Sequence, residues 1–287
     1  MDSIWINAPA KINIGLDVLR RRDDGYHEVK MIMQSIRLFD RLTLTKTSDP
    51  GIHLQTNLHF LPVNENNLVY RSAKMLMDEF GIKGGVDIQL SKRIPVAAGM
   101  AGGSTDAASC MLAMNDLYDL GLNKNSLMKR AVTLGADIPY CIMKGTALSE
   151  GIGEKLSVIP KTPDCYILIA KPGIHVSTKS VYTNLVLDEH TEHPDIDRMI
   201  VAMKQNDLVE LCNHMGNVLE TVTIPAHPEI AEIKECMMEN GALGSLMSGS
   251  GPTVFGIFDD LEKASSAKEK CRALPYKCFV FVTDLYR

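Results

Sequence analysis

The chain of 287 residues has no long apolar run and no excess of basic residues. Its longest apolar runs, such as Cys165–Ala170 and Cys278–Val282, span five or six residues, whereas a bilayer-spanning helix needs about 20. Met1-Asp2-Ser3 leads directly into a strand pattern without a charged and apolar leader, so we expect a cytoplasmic protein with no membrane partner. A surface that follows nucleic-acid phosphates needs basic residues in excess, and the net charge of −5 therefore predicts no nucleic-acid partner.

Paired cysteine motifs are also absent. The chain has seven cysteines, an odd number, and no two of them form a CxxC pair. Most lie in apolar runs, where a free cysteine behaves as a small buried hydrophobic residue. We therefore expect neither a disulfide framework nor a structural zinc site. The cysteines are Cys110, Cys141, Cys165, Cys212, Cys236, Cys271 and Cys278.

The composition is that of an ordinary globular protein, and the length suits two domains. The chain is 45% hydrophobic and 23% charged, and it exceeds the usual size of one compact core. Strand and helix patterns interleave without a repeated βαβ unit, which predicts two α+β domains. The proline-containing segment Pro160–Asp164 is the best boundary, and we place the domains at residues 1–162 and 163–287.

In the first domain, apolar residues alternate with polar or small ones from Ile12 to Val18, as in a half-buried strand. Asp24-Gly25 favours a hairpin turn, and a second strand covers about Ile36–Leu44. A helix is expected over Asn66–Phe80 and a strand over Val86–Leu90. The following helix carries apolar residues from Ala107 to Tyr118, with Ser104 and Thr105 as its N-cap candidates.

The second domain shows the same mixture of patterns. Strands are predicted at Cys165–Ala170, Thr253–Phe258 and Cys278–Val282. Helices are predicted within Asp195–Met215, Pro228–Asn240 and Leu261–Ala273.

The segment Pro95–Asp106 is rich in glycine and small residues, and it lies between a strand and a helix. Small residues allow the backbone to approach a ligand, and the free N–H groups of a helix start attract anions. The segment has neither the lysine of a P-loop nor the spacing of GxGxxG. It favours phosphate binding over a plain tight connection made of small residues.

Three other segments could carry chemistry. Lys11 and Asn13 lie on one face of a strand, which could meet a substrate or could simply be solvated. Asp137, in Gly135–Tyr140, is an aspartate in an apolar segment, so it is either a base, with Lys11 as a partner, or a structural ion pair or cap. Leu246–Val254 is a flexible small-residue loop that either forms a turn or closes over a ligand.

Two further features are expected to have no functional role. The stretch His190–Asp197 contains several potential metal ligands, but no apolar period or cysteine supports a site, so we expect a solvated loop and leave any metal ligands unknown. The run Arg20–Arg22 is typical of a charged turn, although its nearness to Lys11 leaves a role toward anions open.

Four segments in this order resemble the GHMP small-molecule kinases, which include galactokinase, homoserine kinase and mevalonate kinase. The resemblance runs from about Ile6 to the end of the chain. The segments that carry it are Ala8–Asn13, Asp24–Glu28, Gly135–Pro139 and Met247–Thr253. It implies a two-domain fold, with an N-terminal domain like ribosomal protein S5 domain 2 and a ferredoxin-like C-terminal domain.

The resemblance also implies a reaction, with ATP and Mg²⁺ as cofactors and a cytidine-diphosphate-linked polyol as the small-molecule substrate. The γ-phosphoryl group of ATP would pass to the 2-hydroxyl of the methylerythritol portion, as in non-mevalonate isoprenoid synthesis. A related kinase with a homoserine or mevalonate acceptor, or a nucleotide-binding module without catalysis, are the alternatives. Asp24–Glu28 argues against the first, and the presence of both Lys11 and Asp137 argues against the second. A monomer and a homodimer both remain open.

Roles follow position by position from the same resemblance. Asp137 would accept the hydroxyl proton, and Lys11 beside it would steady the transferred charge. The acceptor would be held by Asn13, Tyr26, His27, Thr178, Tyr182, Gly249 and Ser250. Asn67 would lie near the adenine, and the ATP phosphates would be wrapped by Pro95, Val96, Ala97, Ala98, Gly99, Met100, Ala101, Gly102, Gly103, Ser104, Thr105 and Asp106.

The segment departs from the family pattern at several positions. Ala97, Ala98 and Ala101 stand where some relatives have glycines, and Met100 replaces the usual leucine. Alanine restricts the backbone more than glycine does, so the geometry of this loop is the feature that the sequence leaves open.

Overall fold

A computed structural model describes residues 2–287. The strands are β1 Ser3–Arg21, β2 His27–Thr47, β3 Gly51–Thr56, β4 Gly85–Ser91, β5 Thr146–Gly151, β6 Lys155–Val158, β7 Tyr166–Pro172, β8 Gly244–Met247, β9 Val254–Phe258 and β10 Cys278–Asp284. The helices are α1 Leu68–Phe80, α2 Gly102–Leu117, α3 Lys124–Ala131, α4 Ile138–Met143, α5 Thr178–Asn184, α6 Ile196–Gln205, α7 Leu208–Asn213, α8 Glu220–Ala226, α9 Glu229–Glu239 and α10 Leu261–Arg272.

The chain forms two compact units, and each unit draws on separate stretches of sequence. Of the described residues, the first unit contains 2–10, 38–96 and 101–144, and the second contains 11–37, 97–100 and 145–287. The long strands β1 and β2 each contribute residues to both units.

In the first unit, helices pack beside a small mixed sheet. β3 runs parallel to β4, and β4 pairs antiparallel with residues 41–47 of β2. α1 packs against α2, and α4 packs against both α2 and α3. β4 alternates between buried and exposed residues, with Val86, Ile88 and Leu90 inside, because successive side chains of a strand point to opposite faces.

In the second unit, the chain first forms an antiparallel sheet from residues 29–34 of β2 with β5 and β6. A second antiparallel sheet follows in the order β10-β7-β9-β8. α9 and α10 pack on this second sheet. β9, which lies between β7 and β8, is buried along its whole length.

Most sequence-predicted elements are present. The hairpin turn occurs where Asp24-Gly25 predicted it, since Gly25 has φ 86° and the Arg22 N–H donates to the carbonyl of Tyr26. The predicted helix over Asn66–Phe80 is α1, which begins one residue after its N-cap, Asn67. The cysteines are free, and most of them are buried. Among residues 2–287, no helix is both long and apolar enough to cross a bilayer.

The predicted N-cap of α2 is wrong. The helix begins at Gly102, and its N-cap is Ala101 in the left-handed region at φ 53°, without a side-chain capping bond. Ser104 and Thr105 therefore lie within the first turn instead of before it. Gly102 and Gly103 are therefore the first two residues of the helix, and its free N–H groups begin earlier along the chain than the capping pattern predicted.

Candidate active site

The glycine-rich segment has an unusual backbone. Ala97 has φ 50°, Gly99 has φ 71° and Ala101 has φ 53°. The left-handed conformation costs an L-residue roughly 1–2 kcal/mol, so two alanines in it are held there by their surroundings. The sequence alone did not determine the backbone of this loop. The structure shows Ala97 and Ala101 in a conformation that glycine would adopt more readily.

In the first unit, α2 offers an anion-binding helix start. The helix is 16 residues long, and the first N–H groups of such a helix have no partner within it. Gly102 and Gly103 form this first turn, and a side chain at Gly102 would contact Lys92 and Ile94 within 3.4 Å. Small residues here leave the backbone amides accessible, which suits a phosphate.

A buried ion cluster supports the same turn. Lys92 Nζ lies 2.6 Å from Asp106 Oδ2 and also pairs with Asp40, and all three side chains are buried. Asp40 Oδ1 additionally accepts from the N–H groups of Arg93 and Ile94. The cluster ties the residues after β4 to the first turns of α2.

The cluster holds one cation and two carboxyl groups, and this crowding shifts the pKa values of Asp106 and Lys92. Burial raises the pKa of Asp106 well above its usual value, and the charge of Asp40 raises it further, against the opposing effect of Lys92. Burial alone would lower the pKa of Lys92, but Asp106 and Asp40 overcome this effect and raise it. Asp40 accepts hydrogen bonds from two backbone N–H groups as well as from Lys92.

Three polar atoms on the buried side of α2 have no hydrogen-bond partner among residues 2–287. They are Thr105 Oγ1, Asp106 Oδ1 and Ser109 Oγ. A buried polar atom without a partner costs about 1–3 kcal/mol, so such atoms often mark a place where a ligand or ion completes the bonding.

In the second unit, Lys11 and Asn13 lie side by side on β1. Lys11 Nζ donates to Asn13 Oδ1 at 2.7 Å and to the carbonyl of Gly99 at 3.2 Å. Asn13 Nδ2 contacts the Met31 sulfur at 3.2 Å, which fixes the amide with its oxygen toward Lys11. Both side chains are buried, and these partners of Lys11 are neutral, so its charge is not cancelled by them.

The loop between β8 and β9, residues 248–253, is called the Gly-Ser-Gly loop below. Ser248 Oγ donates to the carbonyl of Gly99 at 3.0 Å, the same carbonyl that Lys11 contacts. A Cβ at Gly99 would lie 2.1 Å from the Ser248 carbonyl oxygen, so only glycine fits there. This loop and the tip of the glycine-rich segment are therefore in direct contact.

An aromatic pair lies at the end of the hairpin. The rings of His27 and Tyr182 are 5.1 Å apart with an interplanar angle of 41°. Thr178 Oγ1, one turn before Tyr182 on α5, lies 2.8 Å from Ser250 Oγ of the Gly-Ser-Gly loop. Burial and the charge of Arg21 lower the pKa of His27, which favours a neutral imidazole that can stack and donate. Tyr26 is 60% exposed.

Two further predicted residues, Asp137 and Asn67, belong to the first unit. Asp137 is the N-cap residue of α4, is half-buried and makes no side-chain capping bond, and Pro139 follows it in the first turn. Asn67 caps α1, because its Oδ1 accepts from the Val69 N–H at 2.9 Å and its Nδ2 donates to the Pro62 carbonyl at 2.8 Å. The pairing of Asp137 with Lys11 stays a prediction.

The charged residues of the hairpin turn and of the segment 190–197 have partners of their own. Arg20 pairs with Glu28 and Arg22 pairs with Asp24, so the charged turn is largely neutralised within the hairpin. His193 Nδ1 lies 2.6 Å from Asp17 Oδ1. Within the described part of the chain, no group of three or more His, Cys, Asp or Glu side chains could hold a metal ion.

Comparison with known proteins places this geometry in a family. The model of the GHMP kinases N-terminal domain matches residues 67–145, and the model of the GHMP kinases C-terminal region matches residues 199–277. The chain belongs to the GHMP kinase family. This GHMP kinase is a small-molecule kinase, and membership implies ATP as the phosphoryl donor.

Individual relatives resemble this GHMP kinase over its full length. A protein of Lachnoclostridium phytofermentans named 4-diphosphocytidyl-2-C-methyl-D-erythritol kinase is 52% identical over 100% of this chain and 98% of the relative. A protein of the same name from Lachnospira eligens is 50% identical over 100% of this chain and 99% of the relative.

Solved structures show the same fold. A crystal structure of 4-(cytidine 5'-diphospho)-2C-methyl-D-erythritol kinase matches with a TM-score of 0.85 and 33% identity, over 99% of this chain and 100% of that one. Homoserine kinase from Cytophaga hutchinsonii matches with a TM-score of 0.83 and 21% identity, over 99% of this chain and 95% of that one, which supports the fold alone. The predicted two-domain GHMP kinase fold is confirmed.

Proposed function

We propose that the protein transfers the γ-phosphoryl group of ATP to the 2-hydroxyl of 4-diphosphocytidyl-2-C-methyl-D-erythritol, a step of non-mevalonate isoprenoid synthesis. The observation that carries this proposal is the identity of about half, over the whole chain, to relatives named for this kinase. The geometry of the second unit supports it.

The choice of acceptor is supported by the aromatic pair. A cytosine is flat, and stacking on an aromatic side chain is worth about 1–3 kcal/mol per base. His27 and Tyr182 lie close enough to form one wall for such a base, and Tyr26 beside them is exposed to meet it. Thr178 and Ser250 supply hydroxyl groups next to this wall, and Gly249 lies next to Ser250 in the same loop. Homoserine and mevalonate lack a base, so neither would need an aromatic wall.

The proposed chemistry rests on positioning and charge. Asp137 accepts the proton of the acceptor hydroxyl as its oxygen attacks the γ-phosphorus, and the bond to ADP breaks. Lys11 stabilises the negative charge on the transferred group, which its neutral partners leave it able to do. Asn13 orients Lys11 and contacts the acceptor.

The phosphates of ATP are proposed to lie at residues 95–106, where the start of α2 provides free amide groups. Magnesium retains several waters and takes few protein ligands when it accompanies a nucleotide. Thr105 would supply one such protein ligand to the ion, because its hydroxyl has no hydrogen-bond partner among residues 2–287. Asn67 is proposed to lie near the adenine, at the start of α1. Residues 1–162 and 163–287 remain our proposed domain division.

A coupled assay of ADP release with a panel of acceptors tests the proposal. We expect turnover with the cytidine-linked acceptor and at most traces with homoserine or mevalonate. Asp137→Asn should abolish turnover and preserve ATP binding, whereas Asp78→Asn, the same change at an exposed position of α1, should alter neither. ATP binding without turnover of any acceptor would support a catalytically silent module instead, and unchanged activity of Asp137→Asn would remove the proposed base.

A further inference from the structure

Asn217 is a buried side chain whose hydrogen-bonding groups face the Gly-Ser-Gly loop. Its Nδ2 donates to the carbonyls of Met247 and Gly249, both at 2.8 Å. Its Oδ1 accepts from the N–H of Leu219 at 3.0 Å. The amide nitrogen therefore holds the end of β8 and the start of the loop, while the oxygen is fixed by the backbone two residues further on.

The backbone around Asn217 is fixed to β1, the strand that carries Lys11 and Asn13. Leu16 of β1 accepts from the N–H of Val218 at 3.0 Å and donates its own N–H to Gly216 at 2.9 Å. Asn217 thus forms a bridge between the strand with the catalytic lysine and the loop that contacts it.

Two side chains of α8 hold the loop and Met247, the last residue of the strand before it. Glu220 Oε1 accepts from the N–H of Met247 at 2.7 Å, and its other oxygen pairs with Lys234 at 2.6 Å. Thr223 Oγ1 donates to the carbonyl of Ser250 at 3.3 Å. The loop is therefore anchored, and the flexibility expected from its small residues is restricted.

On its other side, the loop contacts both halves of the proposed acceptor site. Ser248 Oγ bonds the Gly99 carbonyl, which also accepts from Lys11. Ser250 Oγ bonds Thr178 at the start of α5, the helix that carries Tyr182. One rigid loop therefore connects the lysine of phosphoryl transfer with the aromatic wall for the base.

We infer that Asn217 is a positioning residue. Through the Gly-Ser-Gly loop it fixes the positions of Lys11 and Tyr182 relative to each other. It acts on Lys11 through the Ser248–Gly99 contact and on Tyr182 through the Ser250–Thr178 contact. The inference rests on the proposed function, because it assigns the Ser248–Gly99 contact to turnover and the Ser250–Thr178 contact to acceptor binding. A displacement of about 1 Å at such a site can cost on the order of 100-fold in rate.

Asn217→Asp tests this role with the smallest change in shape. The introduced carboxylate keeps an acceptor for the Leu219 N–H but turns an oxygen toward two carbonyl oxygens. We expect kcat to fall on the order of 100-fold and the acceptor KM to rise several-fold. Asn240→Asp is the matched control, since Asn240 also donates to one backbone carbonyl, that of Cys236, and it should change neither value.

Two single-contact variants separate the routes. Ser248→Ala removes the bond to Gly99 and should lower kcat without raising the acceptor KM, whereas Ser250→Ala removes the bond to Thr178 and should raise that KM. In the double variant of Asn217→Asp with Ser248→Ala, the loss in kcat should be no larger than for Asn217→Asp alone. Additive losses in kcat, or values for Asn217→Asp equal to those of the Asn240→Asp control, would overturn the inference.

Amide hydrogen exchange keeps this test independent of the acceptor. Exchange in residues 247–251 should rise at least tenfold in Asn217→Asp and stay unchanged in Asn240→Asp, without any substrate present. A wild-type enzyme that fails to phosphorylate the cytidine-linked acceptor contradicts the proposed function, while unchanged exchange contradicts the positioning role. If Asn217→Asp does not fold, Asn217→Ser, which keeps a small donor, undergoes the same two measurements with the same contradicting outcomes.

Discussion

Two buried lysines, one in each unit, have opposite surroundings. Lys92 in the first unit lies between the carboxyl groups of Asp40 and Asp106. Lys11 in the second unit bonds an amide oxygen and a backbone carbonyl. The first lysine is paired with carboxyl groups, whereas these two partners of the second lysine carry no charge. A buried lysine therefore has one of two roles in this molecule, structural or functional, and the charge of its partners indicates which.

The difference follows from the energetics of buried charge. Removing one member of a buried ion pair leaves a charge without compensation and costs about 3–5 kcal/mol. A cation that only neutral dipoles hold is instead ready to meet the charge that develops in a transition state. We therefore expect loss of Lys92 to affect folding first and loss of Lys11 to affect catalysis first.

The largest effect is expected for Lys11→Met. Removing a cation that stabilises charge in phosphoryl transfer should lower kcat by 10³-fold or more, because such a cation is worth roughly 10³–10⁵ in rate. The thermal unfolding midpoint should stay within a few degrees of the wild type. Lys263→Met, a substitution on an exposed turn of α10, is the control for both measurements. A stability loss as large as that of a Lys92 variant would contradict the comparison.

Lys92→Met should lower the free energy of unfolding by about 3–5 kcal/mol, because Asp40 and Asp106 would remain buried without a cation. Urea unfolding followed by circular dichroism measures this change. Adding Asp106→Asn to the same variant removes one of the two carboxyl groups and should restore part of the loss. No restoration would mean that Lys92 contributes through packing alone.

Gly99→Ala tests the carbonyl that Lys11 and Ser248 share. A Cβ there would clash with the Ser248 carbonyl at 2.1 Å, so we expect kcat to fall on the order of 100-fold. Gly121→Ala is the matched control, since Gly121 has a similar φ of 67° and open space around its Cβ position. The control should lose about 1–2 kcal/mol of stability from backbone strain and keep its kcat. Equal kcat values in the two variants would rule out the shared carbonyl as the cause.

The smallest effect concerns the pH dependence of Asp106. A carboxyl group whose pKa is raised on folding stabilises the protein fully below its unfolded pKa, and that contribution is lost as the pH rises through its folded pKa. Asp106→Asn stays neutral at every pH, so its stability relative to the wild type should improve by about 1 kcal/mol or more between pH 5 and pH 8. Urea unfolding of both proteins at several pH values measures the difference. A constant difference would place the buried negative charge elsewhere.

The features predicted correctly from the sequence depend on local patterns. Alternation of apolar residues identified β1 and β4, and Asp24-Gly25 identified the turn between the first two strands. Short elements without a strong period, such as α8 with Pro225 inside it, were missed. The start of α2 was misplaced, because a left-handed alanine in place of a capping side chain has no propensity signal.

The site was predictable only in part. The motifs pointed to Lys11, Asn13 and the Gly-Ser-Gly loop, and the structure brings these residues together. Lys92 and Asp40 carry no motif, since they are 52 positions apart and only the fold makes them partners. Asn217 escaped notice for the same reason, because its partner Gly249 lies 32 positions away. The alternation from Val86 to Leu90 stops before Lys92, so an apolar pattern could not single it out either.

The anchoring of the Gly-Ser-Gly loop has a consequence for inhibitor design. Asn217, Glu220 and Thr223 hold the loop and the residue before it through hydrogen bonds from within the protein. A compound that bonds the loop would find its amides and hydroxyls already ordered, so little affinity would be spent on arranging them. Rigid fragments that match the loop as it stands are therefore better starting points than flexible mimics of the whole acceptor.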